Sequence, residues 1–441
     1  MAAEERRHFG VLSFTGAGHL NAMIALGIGL RERGHRVTFF EKPKIERRIR
    51  DAGLGFYAIG RESPFKGKGP GSLNGGVFSE LRTLRFNIRR IKHDLESYLE
   101  ETEPALRETG VDAVVVNEIA VTGPTLAELL GLPYFIVSTS VPHNFGWNAY
   151  PMSSGYRYRL SWMSRLASAV LDVSAVRMHG PVRSVVNRYR ASRGLSPVNG
   201  INHAYPPLAQ LTQLPECLDL PRRNLPEYFR YAGPFGREGA RLTIEFPWDR
   251  LDGRPVIYAS LGTTRNAQVK VLRLIAEACK DLGAQLVISL GGRFDPGAFG
   301  SWPGDPVVAE FVPQLEMLKR ASLVITHGGP NTVFETLLEG RPMVAIPLAH
   351  DQPAIALRLR RWGAAEVLPV MRLSARMIRE AVVKVLTTPS YRRAAEELQG
   401  RLRGLDGVGG AADVIEGALT RWEGQDDVKS RSRISIASSV L

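Results

Sequence analysis

Residues 326 to 353, "THGGPNTVFETLLEGRPMVAIPLAHDQP", set a His, a double Gly, an Asn, a Thr, a Glu and an Asp-Gln pair at fixed offsets among apolar residues. The preceding "SLVIT" has the character of a buried strand, and His327-Gly328-Gly329 makes the turn out of it. Pro330 stands where a first helical residue is favoured, having no N–H to lose there, and Gly340 stands where a left-handed residue closes a helix. A tight glycine turn into a helix leaves backbone N–H groups open at the positive end of the dipole, and together these attract phosphate. His327, Asn331 and Thr332 can donate further hydrogen bonds to a diphosphate, with Gly329 allowing close approach. One turn on, Glu335 is set to accept two ribose hydroxyls. The next strand, "PMVAIP", delivers Asp351 and Gln352 into the same space, a carboxylate and an amide suited to sugar hydroxyls. Singly, each residue has a plainer role: turn former, solvated helix surface for Glu335, helix N-cap for Asp351. Jointly, the spacing measures out a nucleotide sugar.

Strand and helix signals that would position these groups alternate twice along the chain. The first half runs "HFGVLSF", a helix from about Asn21 to Arg33 ending at Gly34, "RVTFF", then "DAVVVN", "TLAELLG" and "PYFIVST". The second half repeats the order with "PVIYASLG", "VLRLIAEACKDLG", "AQLVISLG", "VVAEFV", "LEMLKRA" and the stretch above. Short β-branched runs between amphipathic helices predict parallel sheets covered by helices, so the fold class is α/β with two doubly wound domains. Two facing sheets of this kind leave a cleft at their strand carboxyl ends, where ligands bind. A Gly-, Pro- and charge-rich linker at 233 to 255 puts the boundary near Gly239. The domains are therefore 1–238 and 239–422, with the last helices packing back on the first domain, and a polar tail at 423–441 expected to be disordered.

The 441-residue length suits two domains, and the net charge of +13 suits an anionic partner. No Lys/Arg block is interleaved with aromatics and no zinc-finger spacing occurs, which argues against nucleic acid. Cys217 and Cys279 are too few and too far apart for a disulfide framework or a metal cluster, as expected of a reducing cytoplasm. The N-terminus lacks a signal-peptide run, and nothing approaches about 18 uninterrupted apolar residues. Residues 153 to 190 mix aromatic, aliphatic and Arg residues at helical spacing. They fit peripheral contact with the inner membrane face or an apolar ligand, or a helix packed on its own domain.

"FVPQLEMLKRASLVITHGGPNTVFETLLEGRPMVAIPLAHDQP" closely resembles the donor signature of family 1 UDP-dependent glycosyltransferases, which have two facing Rossmann-like domains, the GT-B fold. Within that family it is most similar to the bacterial macrolide-type and zeaxanthin glucosyltransferases, particularly in "THGGPNT" and "DQPAIALRL". The resemblance implies that Val312 and Gln314 hold the uracil, that His327, Asn331 and Thr332 hold the phosphates, and that Glu335 binds ribose with Asp351 and Gln352 on the sugar. It adds Thr263 of "SLGT", residues 260 to 263, and the adjacent Thr264 on the phosphate side, with Gly18 of the first loop. Pro330 replaces the Trp of plant members.

The first loop, "GAGHLN", also imitates a dinucleotide fingerprint through Gly16 and Gly18, with Glu41 as a ribose-binding acid, which would make an NAD or FAD oxidoreductase. Asn21 stands where that fingerprint has its third Gly. The family resemblance instead implies that His19 deprotonates the acceptor hydroxyl; the plain alternative is a His capping the helix. A carboxylate usually stands behind such a base. Here Asn117 occupies the position where many members have Asp, and Glu118 follows it; on one strand the two face opposite ways. The expectation is an inverting transfer, by in-line displacement, from a UDP-sugar to a hydroxyl of an apolar small molecule, with Phe145, Trp147 and Tyr150 lining the acceptor slot. No Asp-x-Asp occurs in the chain, so no metal or other cofactor is expected. A non-catalytic UDP-sugar-binding protein is the alternative that Asn117 leaves open.

Overall fold

The computed structural model describes residues 6–60, 77–142, 180–198, 206–222, 225–236, 244–262, 268–292 and 300–438. Phe145, Trp147, Tyr150, Thr263, Thr264, Gly239 and most of 153–190 lie outside these residues.

The first domain is built on strands β1 (His8–Leu12), β2 (Arg36–Glu41), β3 (Gly55–Ala58), β4 (Ala113–Asn117), β5 (Tyr134–Ser138), β6 (Ala209–Thr212) and β7 (Phe229–Tyr231). Its helices are α1 (Ala17–Glu32), α2 (Glu46–Asp51), α3 (Val77–Thr109), α4 (Gly123–Leu130) and α5 (Gly180–Ser192). The strands form a parallel sheet in the order β3-β2-β1-β4-β5-β6-β7. The second domain has β8 (Val256–Ser260), β9 (Gln285–Ser289), β10 (Val307–Ala309), β11 (Ala321–Thr326), β12 (Met343–Ala345) and β13 (Ala365–Val367), parallel in the order β10-β9-β8-β11-β12-β13. Helices α6 (Gln268–Cys279), α7 (Gln314–Arg320), α8 (Pro330–Leu338), α9 (Gln352–Trp362), α10 (Ala375–Thr387) and α11 (Pro389–Arg403) accompany it, and α12 (Gly407–Ser438) follows.

Central strands such as "AVVVN" and "VIYAS" are buried end to end, because helices cover both faces of a parallel sheet. Each sheet reverses its strand order once, between β1 and β4 and between β8 and β11. Crossovers leave these points in opposite directions, so the strand carboxyl ends there stand open to a ligand.

Helix α1 begins at Ala17, a turn before the start expected near Asn21. Gly16 is extended (φ −62°, ψ 128°) and takes the N-cap position. The glycines that suggested a loop fall in a first turn, whose N–H groups have no intrahelical partner in any case. His19 therefore lies inside the helix, and it does not cap it.

The chain also returns. In α12, Val408, Ala411, Ala412, Ile415, Ala418 and Leu419 pack into the same core as Phe9, Met23 and Phe39 of the first domain. Arg33 of the segment after α1 bonds Asp413 and Glu416 at 2.6 Å each. The tail expected to be disordered from 423 instead continues this helix to Ser438. It contains Gly424 but no Pro, so nothing in it stops a helix already anchored by packing of Trp422. Where the chain crosses between domains, a cavity of about 570 Å³ opens among Arg33, Pro234, Gly236, Leu405 and Gly407.

Among the described residues no helix is long and apolar enough to cross a membrane. Of the 153–190 region, α5 is described, and its polar side chains face its own domain: Arg190 pairs with Glu128 at 2.8 Å, and Tyr189 donates to Glu103 at 2.5 Å.

Candidate active site

The two switch points face each other across the domain interface. On the first-domain side, His19 rises from the first turn of α1 and Asn117 ends β4. His19 Nδ1 lies 2.6 Å from Thr139 Oγ1, and Asn117 Nδ2 donates to the same hydroxyl at 3.0 Å. Asn117 thus reaches the imidazole through Thr139, just beyond β5. Glu118 turns the other way and accepts from Gln210 Nε2 at 3.1 Å, as the strand alternation requires. Phe14 meets the His19 ring edge-on, with centroids 5.7 Å apart, and is itself 48% exposed.

On the other side, Gly329 is the extended N-cap of α8 and Pro330 its first residue; no side chain caps the helix, so its first N–H groups stay open toward the cleft. Gly328 has φ +83°, a conformation that selects glycine. The His327 ring fills the space where a Cβ on Gly262 or Gly329 would lie, 2.8 and 2.5 Å from its Nε2. It therefore wedges the loop after β8 against the start of α8. His327 Nδ1 is buried without a hydrogen-bond partner among the described residues. Burial pushes its pKa down to about 4, only partly opposed by the charge of Asp351 and a backbone hydrogen bond at Ser260, so the ring is neutral at physiological pH.

Glu335, 8% exposed, accepts from Gln314 Nε2 at 2.6 Å; Gln314 also reaches Thr332 Oγ1 at 3.4 Å and receives the Tyr258 hydroxyl at 3.3 Å. The Gln314 side chain thus fixes the direction of the Glu335 carboxylate. Val312 is buried in the core, which leaves its main chain for any contact with a base. Its neighbour Phe311 is the exposed ring at this edge, lying over Gly292, whose Cβ would meet it at 1.8 Å. An exposed aromatic face is the better surface for a nucleobase.

Asp351 occupies the N-cap position of α9 but does not cap it; Ser140 of the first domain donates its hydroxyl to the Asp351 carboxylate. The oxygen of Gln352 closes the turn before α9, accepting from Leu348 and Ala349 N–H at 2.8 and 2.9 Å. Asn331 crosses the cleft too, donating to the Gly18 carbonyl at 2.7 Å and accepting from Gln213 Nε2 at 2.9 Å. Gln213 also donates to the Thr139 carbonyl. Asn331 and Asp351 are thereby tied to the first turn of α1, which carries His19, and to the segment after β5.

The sequence did not single out Thr139, Ser140, Gln213 and Phe311. The available signal for Thr139 and Ser140 was position, at the end of the predicted strand "PYFIVST", since residues at strand carboxyl ends face the cleft in such folds; Gln213 follows β6, a strand the sequence reading did not include. The dinucleotide alternative lacks its acid, because Glu41 is 3% exposed and accepts from the Lys42 N–H. Burial raises the Glu41 carboxyl pKa to about 7.

Below the cleft, Asp219 and Arg358 form a buried ion pair between the domains. Arg358, at the middle of α9, donates from Nε at 3.1 Å, and Arg222 and Tyr231 bond the other oxygen at 2.6 and 3.0 Å. Burial opposes ionisation of Asp219, but the charges of Arg358 and Arg222 outweigh it and hold the carboxyl below its usual range.

Comparison with known proteins covers both halves. The family model for UDP-glucoronosyl and UDP-glucosyl transferase matches residues 215–401, and that for the glycosyltransferase family 28 N-terminal domain matches 12–143. Zeaxanthin glucosyltransferase of Pantoea ananas is 28% identical over 418 residues, covering 93% of this chain and 95% of its own. The crystal structure of CalG4, the calicheamicin glycosyltransferase, superposes with a TM-score of 0.73 at 23% identity, covering 95% of this chain and 99% of that one. Glycosyltransferase VinC in complex with dTDP gives 0.67 at 19% identity, with 94% and 100% covered. With the GT-B fold and both domains matched, this chain is a glycosyltransferase similar to the family 1 enzymes.

Proposed function

We propose that the enzyme transfers a sugar, glucose in the first instance, from UDP to a hydroxyl of a lipophilic small molecule, with inversion and with His19 as general base. The observation that carries this reading is the hydrogen bond from Asn331 to the Gly18 carbonyl at 2.7 Å, which ties the first turn of α8 to the residue before His19. A diphosphate on the open N–H groups of α8 then lies within the reach of an acceptor held at His19. The acceptor hydroxyl gives its proton to His19 Nε2, its oxygen forms a bond to the anomeric carbon, and the bond from that carbon to UDP breaks. The N-terminal dipole of α8 stabilises the charge that develops on the departing diphosphate, a role that asks for no metal.

Glu335 is the ribose acceptor in this reading, held in place by Gln314, and Phe311 offers its face to the uracil. Asp351 and Gln352 take the sugar hydroxyls, and Ser140 orients Asp351 from across the cleft. The activities of the zeaxanthin and calicheamicin enzymes favour a hydroxylated natural product as acceptor. We place the enzyme in the cytoplasm, meeting this acceptor at the inner membrane face.

Calorimetry with UDP-glucose, UDP and dTDP-glucose tests the donor, and UDP release with a flavonoid, a macrolide and a hydroxylated carotenoid tests the acceptor. Micromolar UDP binding with acceptor-dependent release is the expected result; no uridine binding sinks the reading. The dTDP complex of VinC supports a thymidine donor as the second reading. Glu335→Ala separates the two: it is expected to weaken UDP-glucose by about 10- to 100-fold, the worth of hydrogen bonds to a charged group. dTDP-glucose, which lacks the 2′-hydroxyl, loses less. Equal losses for both donors would remove Glu335 from the ribose.

A further inference from the structure

The side chains behind His19 are polar but uncharged, and their hydrogen bonds have a direction. Asn117 Oδ1 accepts from the Ile119 backbone N–H at 3.2 Å. A backbone N–H can only donate, so the amide cannot be turned over, and Nδ2 is the group that faces Thr139 Oγ1 at 3.0 Å. The Thr139 hydroxyl then has one proton to give, and its acceptor among the described residues is His19 Nδ1, at 2.6 Å. Asn117 and Thr139 are 1% and 3% exposed, so bulk water does not compete for these bonds.

We infer that Asn117 and Thr139 form a positioning relay directed from amide to hydroxyl to imidazole, which rests neutral His19 with its proton on Nε2. A carboxylate at position 117 would run the relay the other way, accepting the Thr139 proton so that Thr139 accepts from Nδ1–H. Glu118 does not supply that charge, because it lies on the opposite face of β4 with Gln210. The inference rests on the reading of His19 Nε2 as the base.

To accept a proton at Nε2, the ring must carry its other proton on Nδ1 and donate it to a lone pair of Thr139 Oγ1. The Thr139 proton then has no acceptor in the relay. The resting and reactive tautomers differ by this one hydrogen bond, which corresponds to about tenfold in population. Asn117 and Thr139 therefore hold the ring in place and at the same time restrain its reactivity.

The test is the ¹⁵N chemical shifts of the His19 ring in the full-length protein, with the signals identified by their loss in His19→Gln. Wild type is expected to show a protonated Nε2 and an accepting Nδ1; a protonated Nδ1 overturns the inference without any variant. Asn117→Asp is expected to move the proton to Nδ1. It should also raise kcat about tenfold, with donor KM unchanged, for whichever of the three acceptors supports UDP release. An unmoved proton in a folded Asn117→Asp protein also overturns it. Thr139→Ser keeps the hydroxyl and should keep tautomer and rate, whereas Thr139→Val should lose both; the reverse order would mean that Thr139 only fills space. If turnover survives His19→Ala, the base reading fails while the ring shifts still decide the relay.

Discussion

Replacing His19 with Ala is expected to lower kcat by roughly 10²- to 10⁴-fold while UDP affinity stays close to that of the unchanged enzyme. The split follows from the geometry. His19 belongs to α1 and bonds Thr139 at 2.6 Å within the first domain, whereas the proposed diphosphate site lies on α8 of the second. Removing the imidazole takes away a proton acceptor and leaves the donor contacts in place. Single-turnover rates and UDP calorimetry on the same variant check both halves. Full turnover without the imidazole would remove His19 from the chemistry. A matching loss of UDP affinity would mean instead that the first turn of α1 at Gly18 has moved, since Asn331 depends on its carbonyl.

The second large effect concerns stability. Asp219→Ala is expected to cost about 3–5 kcal/mol, because it strands the guanidinium of Arg358, which is fully buried, together with that of Arg222. Arg358→Met is expected to cost less, since Asp219 keeps Arg222 at 2.6 Å and the Tyr231 hydroxyl at 3.0 Å. Urea midpoints for the two variants give the order, and the opposite order would show that Asp219 depends mainly on Arg358. The pH dependence has a definite sign. The folded-state pKa of Asp219 is depressed, so its contribution is present above the unfolded carboxyl value and is lost as pH falls through the folded one. Asp219→Ala should therefore be less acid-sensitive than wild type over that range. Because Arg358 sits on the helix that Asp351 and Gln352 begin, donor binding should weaken in the same variants.

The parts of the site that lie within one stretch of chain were legible in the sequence. The turn at His327, the helix from Pro330 and the Asp351-Gln352 pair are local patterns, and glycine, proline and apolar spacing report them directly. What was not legible comes from contacts between distant segments. Thr139 meets His19 across 120 residues and Ser140 meets Asp351 across 211, and neither pairing leaves a trace in periodicity. Helix α1 was placed a turn late because glycines at 16 and 18 read as loop until the N-cap geometry is seen. Val312 was expected at the base from the family resemblance; its side chain lies in the core, and the neighbouring Phe311 is the exposed one.

The return of α12 to the first domain determines how this enzyme can be recombined. A donor domain taken from a relative cannot be joined at the linker alone, because that exchange would also replace Ala411, Ile415 and Leu419, which complete the core around Phe9 and Met23. A chimera needs two junctions, one after Gly236 and one before Gly407, on either side of the cavity where the chain crosses. Made there, the exchanged piece carries His327, Asn331, Glu335 and Asp351 together, and it fits only where the first domain keeps Gly18, Gln213 and Ser140 as partners of Asn331 and Asp351.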